Sequence, residues 1–490
     1  MSATPASAPA GPAVHKGLLL ALLAASQFVV VLDASITNVA LPSIGRDLGL
    51  SQDSLSWVVN AYTLTFGGFL LLGGRLADIL GRRRVYMWGL ALFAVASFVG
   101  GFAQSETTLI IARAVQGLGA ALLSPAALSI LTSTFREGAE RNRALGVWGG
   151  VAGAGGAAGV LLGGLLTEYL SWRWVLYVNV PIAVGAILLA PRLVPESRDE
   201  RERNGFDVAG AFTVTAGLAV LIYALVDANS AGWGSAQTIG LLGLAAVLLV
   251  AFVAIEARAA APLVPFDVFQ SRTRTGAYAT GLLVGAALFS MFFFISLYMQ
   301  QVLGWDALKS GLAYLPLAVT IMVSAGIASV LVTKIGFKPV VIAGLLSVAA
   351  GLFLFSQISV DGSFGGDILI PSLLAAVGLG FSFVPVTIGG TTGIAPDEAG
   401  LASGLINAGQ QVGGALGLAI LAAVATARTD AVATGPGRPS PEALTEGFQA
   451  AFLGGTLFAL VGAVLAAVLI RSADSRALIG QSPENVAGAA

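Results

Sequence analysis

An aspartate interrupts the first apolar stretch of the chain. Asp33 lies in "VVLDASITNVALP" (30–42), where the flanking residues are otherwise suited to a bilayer. A carboxylate near mid-membrane costs about 2.5–3.5 kcal/mol on insertion scales, so it normally faces a bundle interior or a wet cavity. Ser26 and Thr37 share its helical face. This stripe predicts a water-accessible pocket in which Asp33 exchanges a proton, and the alternative is a structural Asp that fixes a helix end.

A single basic residue lies well inside an apolar segment. Arg113 occurs in "LIIARAVQGLGAALLSP" (109–125), and Gln116 follows three residues later on the same helical face. We interpret Arg113 as functional because a buried cation is costly. The alternative is that its side chain reaches the external surface, since it begins about one turn into the helix.

An acidic residue also precedes a basic turn in "GGRLADILGRRR" (73–84). Gly74 and Gly81 permit close packing or a tight turn, and Asp78 can accept hydrogen bonds from a helix N-terminus or a neighbouring arginine. A basic loop that only sets membrane topology explains the pattern equally well.

Glycines recur at four-residue spacing at Gly155, Gly159 and Gly163. Such a face admits a neighbouring helix at short distance, so ordinary packing is the default interpretation and a rocking interface the alternative. Several polar residues also lie near membrane depth, and the sequence does not separate cavity lining from contacts between helices. The candidates for a substrate cavity are Ser26, Thr37, Asn38, Tyr62, Gln116, Asn407 and Gln410.

Composition indicates the class of protein that must position these residues. Of 490 residues, 56% are hydrophobic and 10% are charged, and the mean hydropathy is +0.88. Cysteine is absent and His15 is the only histidine, so thiolate chemistry and histidine-based metal sites are excluded. No phosphate-binding loop motif occurs, and no nucleophile–base pair is visible. The sequence predicts a polytopic membrane protein that is not an enzyme and needs no cofactor or metal.

Fourteen apolar segments are long enough to span a hydrocarbon core, and each is predicted to be a helix. Their approximate ranges are 17–37, 55–74, 85–104, 108–134, 144–167, 174–193, 207–227, 238–257, 276–299, 309–332, 339–358, 367–390, 401–425 and 449–470.

The distribution of Lys and Arg predicts the orientation in the membrane. Nineteen of the 25 lie on the side of the N-terminus and five on the opposite side, with Arg113 inside a span. Basic loops mark the cytoplasmic face. Both termini are therefore predicted to lie in the cytoplasm, and the protein in the cytoplasmic (inner) cell membrane.

Two repeated patterns predict duplicated halves. The glycines Gly155, Gly159 and Gly163 recur as Gly409, Gly413 and Gly417, and "GRLADILGRRRV" (74–85) has an echo in "SVLVTKIGFKPV" (329–340), at nearly the same offset. Duplicated helical halves are typical of secondary transporters. The predicted divisions are a disordered tail (1–16), a six-helix bundle (17–194), a cytoplasmic link (195–206), two inserted helices (207–257), a second six-helix bundle (258–471) and a cytoplasmic tail (472–490). The segment 428–447 is predicted to be a flexible external loop.

Four motifs resemble the major facilitator superfamily, specifically its fourteen-spanner drug:proton antiporters of the EmrB/QacA type. "LDASITNVALP" is similar to the first-helix signature, and "GGRLADILGRRRV" to the loop between helices two and three. "LIIARAVQGLGAA" is similar to the fourth-helix pattern, and "SWRWVLYVNVPI" (171–182) to the sequence that leads into the sixth helix.

The resemblance implies roles for individual residues. It makes Asp33 the protonatable group and gives Arg113 a part in proton movement. It implies a conformational latch between the second helix and the helix after "APDEAG" (395–400), formed by Gly74, Asp78, Gly81, Arg82 and Arg83. The antiporter signature of the fifth helix is represented by Gly155, Gly159, Gly163 and Gly164, with Val160 where the family has proline, so that a backbone kink is lost.

The predicted function is proton-coupled export of an amphipathic organic molecule, such as a drug or antibiotic, from a bacterial cell by alternating access. The partners are this substrate, protons and lipid, with no nucleic acid. A facilitator or importer of a small metabolite stays open, as does a non-transporting membrane receptor or scaffold. The sequence identifies neither the substrate nor the oligomeric state, for which a monomer is one option.

Overall fold

A computed structural model shows the chain as a set of helices. It describes residues 15–50, 52–136, 138–196, 207–259, 262, 264, 266–394, 399–433, 439–477 and 479, and within these no strand occurs. Thirteen helices are long and apolar enough to cross a membrane, and Ala209–Leu225 adds a shorter apolar stretch. This confirms the predicted all-α membrane architecture of two six-helix bundles and two inserted helices.

The first bundle contains five long helices and a sixth span, Trp174–Leu193, with one irregular residue at Val178. The helices are α1 (Lys16–Leu48), α2 (Gln52–Leu80), α3 (Arg82–Gly101), α4 (Glu106–Thr134), α5 (Ala139–Tyr169), α6 (Trp174–Tyr177) and α7 (Asn179–Leu193). The Val178 backbone stays helical (φ −59°, ψ −26°) and its N–H donates to the Trp174 carbonyl oxygen, so α6 and α7 form one continuous segment.

The inserted pair and the second bundle follow. Two π-helical turns, Tyr298–Val302 and Phe364–Leu369, flank helices of the second bundle. The inserted helices are α8 (Val208–Ala231) and α9 (Ala236–Glu256). The second bundle contains α10 (Asp267–Gln270), α11 (Arg272–Leu297), α12 (Ala307–Ala313), α13 (Leu315–Ile335), α14 (Phe337–Phe355), α15 (Ile370–Thr391), α16 (Ala399–Val432), α17 (Pro441–Leu469) and α18 (Ser472–Arg476).

The two bundles repeat one packing arrangement. Helix α5 packs against α1 through its glycine face, and α16 packs against α11 through the equivalent glycines, of which Gly413 lies on Leu282 and Gly417 on Ala286. The turns between α2 and α3 and between α13 and α14 also match. Each has a glycine with positive φ, 104° at Gly81 and 84° at Gly336, a conformation that other residues rarely adopt.

The bundles contact each other chiefly along α2 with α16 and α5 with α13, and also where α4 meets α16 and where α5 meets α12 and α15. Asn142 Nδ2 of α5 donates to Thr333 Oγ1 of α13 at 3.0 Å. A Cβ on Gly404 of α16 would lie 3.4 Å from the Leu70 carbonyl oxygen of α2. These contacts lie toward the end of the molecule that the basic-residue count predicts to be cytoplasmic, which we refer to as the predicted cytoplasmic side.

The inserted pair lies beside only one of these contacts. Helix α8 packs against both α2 and α16. Gly68 of α2 makes room for Ala219, where a Cβ would approach within 3.1 Å, and the Trp57 ring stacks on Tyr223 at 5.5 Å between centroids. The inserted helices therefore cover the α2–α16 side of the molecule.

The predicted length of the external loop, 428–447, is wrong. Helix α16 continues to Val432 and α17 begins at Pro441, so most of the predicted loop is helical. The hydropathy pattern ends where the apolar residues end, whereas a helix can continue into water. Residues 434–438 of this loop, the predicted disordered tail up to residue 14 and most of the link at 197–206 lie outside the described residues.

Candidate functional site

A buried ion pair joins α1 to α4. Arg113 Nη1 donates to Asp33 Oδ2 at 2.6 Å, and the two side chains are 1% and 0% exposed. The sequence singled out both residues separately, and the structure brings them together. Arg113 does not reach the external surface, so the alternative interpretation of that residue is wrong for this structure.

Two side-chain amides complete the shell of the carboxylate. Gln116 Nε2 and Asn179 Nδ2 each donate to Asp33 Oδ1 at 2.7 Å. Gln116 also accepts from Arg113 Nη1 through its Oε1 and donates to Ser97 Oγ, again at 2.7 Å in both cases. Asp33 thus accepts three hydrogen bonds, and one of the three donors is a cation.

Arg113 is held by further contacts on α2. Its Nε donates to the Val58 carbonyl oxygen at 3.1 Å, and its guanidinium lies 4.5 Å from the centroid of the Tyr62 ring. The Tyr62 hydroxyl donates to the Val30 carbonyl oxygen at 3.3 Å. Tyr62, predicted as a cavity residue, therefore positions the cation and joins α2 to α1.

Four elements supply this site. Asp33 comes from α1, Ser97 from α3, Arg113 and Gln116 from α4, and Asn179 is the first residue of α7. The sequence analysis did not select Ser97 or Asn179. Both are polar residues surrounded by apolar neighbours, in "AVASFVG" (94–100) and "YVNVPI" (177–182), and this was the available signal.

The polar stripe of α1 is closed to water in this structure. Ser26 and Thr37 are each 1% exposed. The Ser26 hydroxyl lies 2.5 Å from the Tyr86 hydroxyl, and Thr37 Oγ1 donates to the Asp33 carbonyl oxygen at 2.9 Å. The predicted water-accessible pocket at these positions is therefore absent from the described conformation.

The remaining cavity candidates lie apart from Asp33. Asn38 is exposed and donates to the Ala34 carbonyl oxygen of its own helix. Asn407 and Gln410 are half-buried on α16, and Asn407 Nδ2 donates to the Ser403 carbonyl oxygen at 2.9 Å. The structure does not bring these three residues into the charged cluster.

The residues of the implied latch contact the first bundle, the link that follows it and, through Gly74, helix α16 of the second bundle. Asp78 is fully buried and accepts from Arg82 Nη2 at 3.2 Å. Arg83 Nε lies 3.4 Å from Glu196 Oε2, beyond the end of α7. Gly74 lies near Gly404 of α16, and Gly81 lies against Glu196. The helix that the resemblance implies as the partner of the latch is α16, which begins at Ala399, and residues 395–398 before it lie outside the described residues.

The glycine face of α5 serves packing within the first bundle. A Cβ on Gly159 would lie 2.8 Å from the Leu32 carbonyl oxygen of α1, and Gly155 and Gly163 face α1 in the same way. Gly164 faces Leu308 in the second bundle at 3.7 Å. The structure thus favours ordinary packing for three of these glycines, while α5 runs without interruption through Val160.

Comparison with known proteins agrees with this architecture. The family model of the Major Facilitator Superfamily matches residues 23–418. The chain is 41% identical over 481 residues to puromycin resistance protein pur8 from Streptomyces alboniger, covering 96% of this chain and 95% of that protein. It is 42% identical over 453 residues to cephamycin export protein CmcT from Amycolatopsis lactamdurans, covering 92% of each.

A more distant relative and a solved structure extend the comparison. The tetracenomycin C resistance and export protein of Streptomyces glaucescens is 34% identical over 413 residues, covering 84% of this chain and 76% of that protein. The crystal structure of the human organic anion transporter MFSD10 (TETRAN) superposes with a TM-score of 0.64 at 16% identity, covering 92% of this chain and 99% of that chain. By its sequence and its paired helical bundles, this chain belongs to the Major Facilitator Superfamily.

Proposed function

We propose that this protein exports an amphipathic organic molecule, such as an antibiotic, in exchange for protons, as a fourteen-helix member of the EmrB/QacA type. The relatives named for puromycin resistance, cephamycin export and tetracenomycin C export support the substrate class. We place the protein in the cytoplasmic membrane with both termini inside, on the distribution of Lys and Arg.

One observation supports proton coupling: the fully buried Asp33 faces a single cation, Arg113, inside a membrane-spanning bundle. Replacing a buried ion pair by apolar residues is often neutral or stabilising, so stability alone does not account for it. A carboxylate that exchanges a proton as its surroundings change does account for it.

Asp33 would take up a proton when the central region opens to the outside and lose it when the region opens inward. Neutral Asp33 no longer balances the charge of Arg113, so proton binding alters the contacts between α1 and α4. Substrate and proton would then disfavour each other in alternating conformations, and the proton gradient would supply the energy. The contacts between the bundles on the predicted cytoplasmic side are those that must separate for inward opening.

The charge distribution favours a neutral or weakly charged substrate. Among the described residues, the buried Asp, Glu, Lys and Arg side chains all precede residue 257, so the second bundle contributes none. In the described core of the first bundle, Asp33 is balanced by Arg113. A strongly cationic substrate would meet no uncompensated buried carboxylate in the described second bundle.

The first experiment identifies the substrate. The chain is expressed in a drug-hypersensitive bacterial host and challenged with a panel of antibiotics that includes puromycin and tetracenomycin C, with and without an uncoupler. We expect resistance and active efflux for at least one compound, and we expect the uncoupler to abolish efflux. Efflux that persists after the gradient collapses would contradict proton coupling.

The second experiment tests the role of Asp33 in proteoliposomes. A compound identified in the screen is supplied under an imposed pH gradient, and substrate transport and proton release are recorded together. Asp33→Asn should bind the compound but fail to accumulate it against its gradient. The control Asp47→Asn removes a carboxylate near the C-terminal end of α1 and should retain export. Full gradient-driven export by Asp33→Asn would refute the mechanism. If the unmodified protein shows counterflow that needs no pH gradient, it is a facilitator. If no compound shows any flux, the protein does not transport.

A further inference from the structure

Only one of the two polar atoms of the Asn179 amide makes a hydrogen bond among the described residues. Its Nδ2 donates to Asp33 Oδ1, but its Oδ1 is buried and has no hydrogen-bond partner among the described residues. The residue is 0% exposed. Leaving a buried acceptor unsatisfied costs about 1–3 kcal/mol. An unpaired amide oxygen next to an exchangeable carboxylate indicates that the oxygen has a partner in another state of the site.

Protonation of Asp33 creates a conflict in the observed geometry. A proton on Oδ2 would point at Arg113 Nη1, 2.6 Å away, and a proton on Oδ1 would point at the two amide nitrogens, each 2.7 Å away. All of these neighbours are donors. The neutral acid has an O–H group that requires an acceptor, so at least one neighbour must present an oxygen atom.

Only one of the three donors can do this without losing another bond. Arg113 has no acceptor atom. The Gln116 amide is fixed at both ends, because its Oε1 accepts from Arg113 and its Nε2 also donates to Ser97. Turning that amide would place its nitrogen against the guanidinium. The Asn179 oxygen makes no bond, so rotation of its amide breaks only the bond to Asp33.

We infer that Asn179 is a positioning residue that responds to the protonation state of Asp33. Its nitrogen donates to the ionised carboxylate, and after rotation about the Cβ–Cγ bond its oxygen accepts the O–H of the neutral acid. The proton comes from a hydronium ion, whose O–H bond breaks to release water as the O–H of Asp33 forms. Because Asn179 lies on α7, the exchange links α1 to the sixth membrane span. The inference rests on the proposed role of Asp33 as proton carrier.

Few other titratable groups face Asp33. Arg113 of α4 and Tyr62 of α2 do so, while α3 presents Ser97. Helix α5 presents its glycine face to α1. Tyr177 of α6 packs on the rings of Phe98 and Phe102 in α3. Among the described residues, these elements place no second carboxylate beside Asp33. The titration of Asp33 can therefore be measured without a neighbouring carboxylate that titrates with it.

The test is a pH titration of the purified full-length chain in detergent, read by infrared spectroscopy. The carboxyl C=O band of neutral Asp33 is identified by its absence from Asp33→Asn, and its midpoint is compared in Asn179→Leu, an apolar variant of similar shape. In this variant the ionised form loses one of its three donors and the neutral form loses its acceptor, so the two effects on the midpoint oppose each other. We expect the midpoint to change by less than about one unit, and the C=O band of neutral Asp33 to move to the frequency of an acid with a free O–H.

An Asn179 that only donates to the ionised carboxylate would give a different result. Its loss would weaken the ionised form alone, so the midpoint would rise by about one unit or more while the C=O band of neutral Asp33 stays in place, and this outcome overturns the inference. Asn142→Leu is the matched control, because Asn142 is also buried but bonds to Thr333, and it should leave the midpoint unchanged.

A second measurement needs no Asn179 variant. In the unmodified protein, the band of neutral Asp33 should lie at the frequency of a hydrogen-bonded carboxylic acid. A band at the frequency of an acid with a free O–H overturns the inference. If no carboxylic acid band appears at any accessible pH, Asp33 does not carry a proton and the proposed function fails as well. Failure of the inference alone leaves the Asp33 band and the transport defect of Asp33→Asn in place.

Discussion

Arg113 makes four described contacts from one buried side chain. It pairs with Asp33, donates to Gln116 and to the Val58 carbonyl oxygen, and lies on the Tyr62 ring. Gln116 in turn bonds to the carboxylate that Arg113 pairs with, so that cation, carboxylate and amide form a closed ring of hydrogen bonds. Such a planar, fixed set of donors suits arginine and not lysine.

We predict that Arg113→Gln lowers stability strongly. Removing one member of a buried pair leaves an uncompensated charge, which typically costs 3–5 kcal/mol. The measurement is the thermal unfolding midpoint in detergent. The double variant Asp33→Asn with Arg113→Gln should recover most of the loss, because it removes both charges. A single variant as stable as the unmodified chain would show that Asp33 is not charged in this conformation.

The sequence could identify part of this site. Asp33 and Arg113 are detectable because charged residues within apolar spans are costly and therefore rare. Ser97 and Asn179 were missed because neutral polar side chains cost less and occur in many membrane helices as contacts between helices. Their contact with Asp33 depends on how α1, α3, α4 and α7 pack, which a single sequence does not contain.

At the scale of elements, the α1–α5 contact depends on the absence of side chains. We predict that Gly159→Ala lowers stability by about 1–3 kcal/mol, the usual cost of overpacking, because its Cβ would lie 2.5 Å from Ser35 Cβ and 2.8 Å from a backbone oxygen. Gly185→Ala in α7 is the matched control, since no atom lies within 4 Å of its Cβ position. It should leave the unfolding midpoint unchanged or raise it through better helix propensity. Equal effects of both substitutions would contradict the packing argument.

The end of α1 that lies away from the predicted cytoplasmic side has its own polar contact. Trp172 Nε1 and Arg173 Nη1 donate to Asp47 Oδ2 at 2.9 and 2.7 Å. These hydrogen bonds, first that of Trp172 and then that of Arg173, hold the pKa of Asp47 below its ordinary value of 3.8. A pKa that is lower in the folded state stabilises the protein above the ordinary value, and this stabilisation is lost as pH falls through the lowered value.

We therefore predict that the unmodified chain is more stable than Asp47→Asn at neutral pH, by less than about 1 kcal/mol because the pair is partly exposed. The difference should disappear as the pH falls below 3.8. Thermal unfolding of both proteins over this pH range measures it. A difference that stays constant with pH would mean that the carboxylate charge is not involved.

The ends of the helices were the least predictable elements. The apolar segment of the thirteenth predicted span ends near residue 425, but α16 continues to Val432. Near the membrane surface, water can satisfy polar side chains while the helical hydrogen bonds continue. The sixth span was predicted as one segment (174–193) and has the same bounds in the structure, and only the irregular residue Val178 within it was not predictable.

For the whole molecule, the contact between Asn142 and Thr333 offers a test of bundle separation. The chain has no native cysteine, so Asn142→Cys with Thr333→Cys can be cross-linked by a short bis-methanethiosulfonate reagent, which joins the two thiols through disulfides that a reductant cleaves. These residues join α5 to α13 on the predicted cytoplasmic side. We predict that the cross-link abolishes export and that a reductant restores it, because the inward opening requires these helices to separate.

The control for this experiment uses the inserted pair. Gln237 Nε2 donates to Asp227 Oδ2 at 2.7 Å, so Gln237→Cys with Asp227→Cys should be linked with similar ease. This link joins α8 to α9 and should leave export intact. Export that continues through a fully cross-linked Asn142–Thr333 pair would argue against alternating access at this contact.

The duplicated architecture was visible in the sequence because packing constrains small residues. Gly155, Gly159 and Gly163 of α5 correspond to the glycines of α16. Each set lies against the first membrane-spanning helix of its own bundle, α1 or α11. The position of α8 and α9 was not visible. Their apolar sequences suit any lipid-facing site, and only the structure shows that they lie beside α2 and α16 and not beside α5 and α13.

The balance of the Asp33–Arg113 pair has an electrical consequence. With Asp33 ionised the pair carries no net charge, whereas with Asp33 neutral the guanidinium leaves one positive charge at the site. A membrane voltage contributes about 2.3 kcal/mol per elementary charge per 100 mV across the full bilayer. If the pair carries the proton, voltage acts on the protonated form and leaves the ionised form nearly unaffected, so a negative cell interior would favour the step that delivers the proton inward.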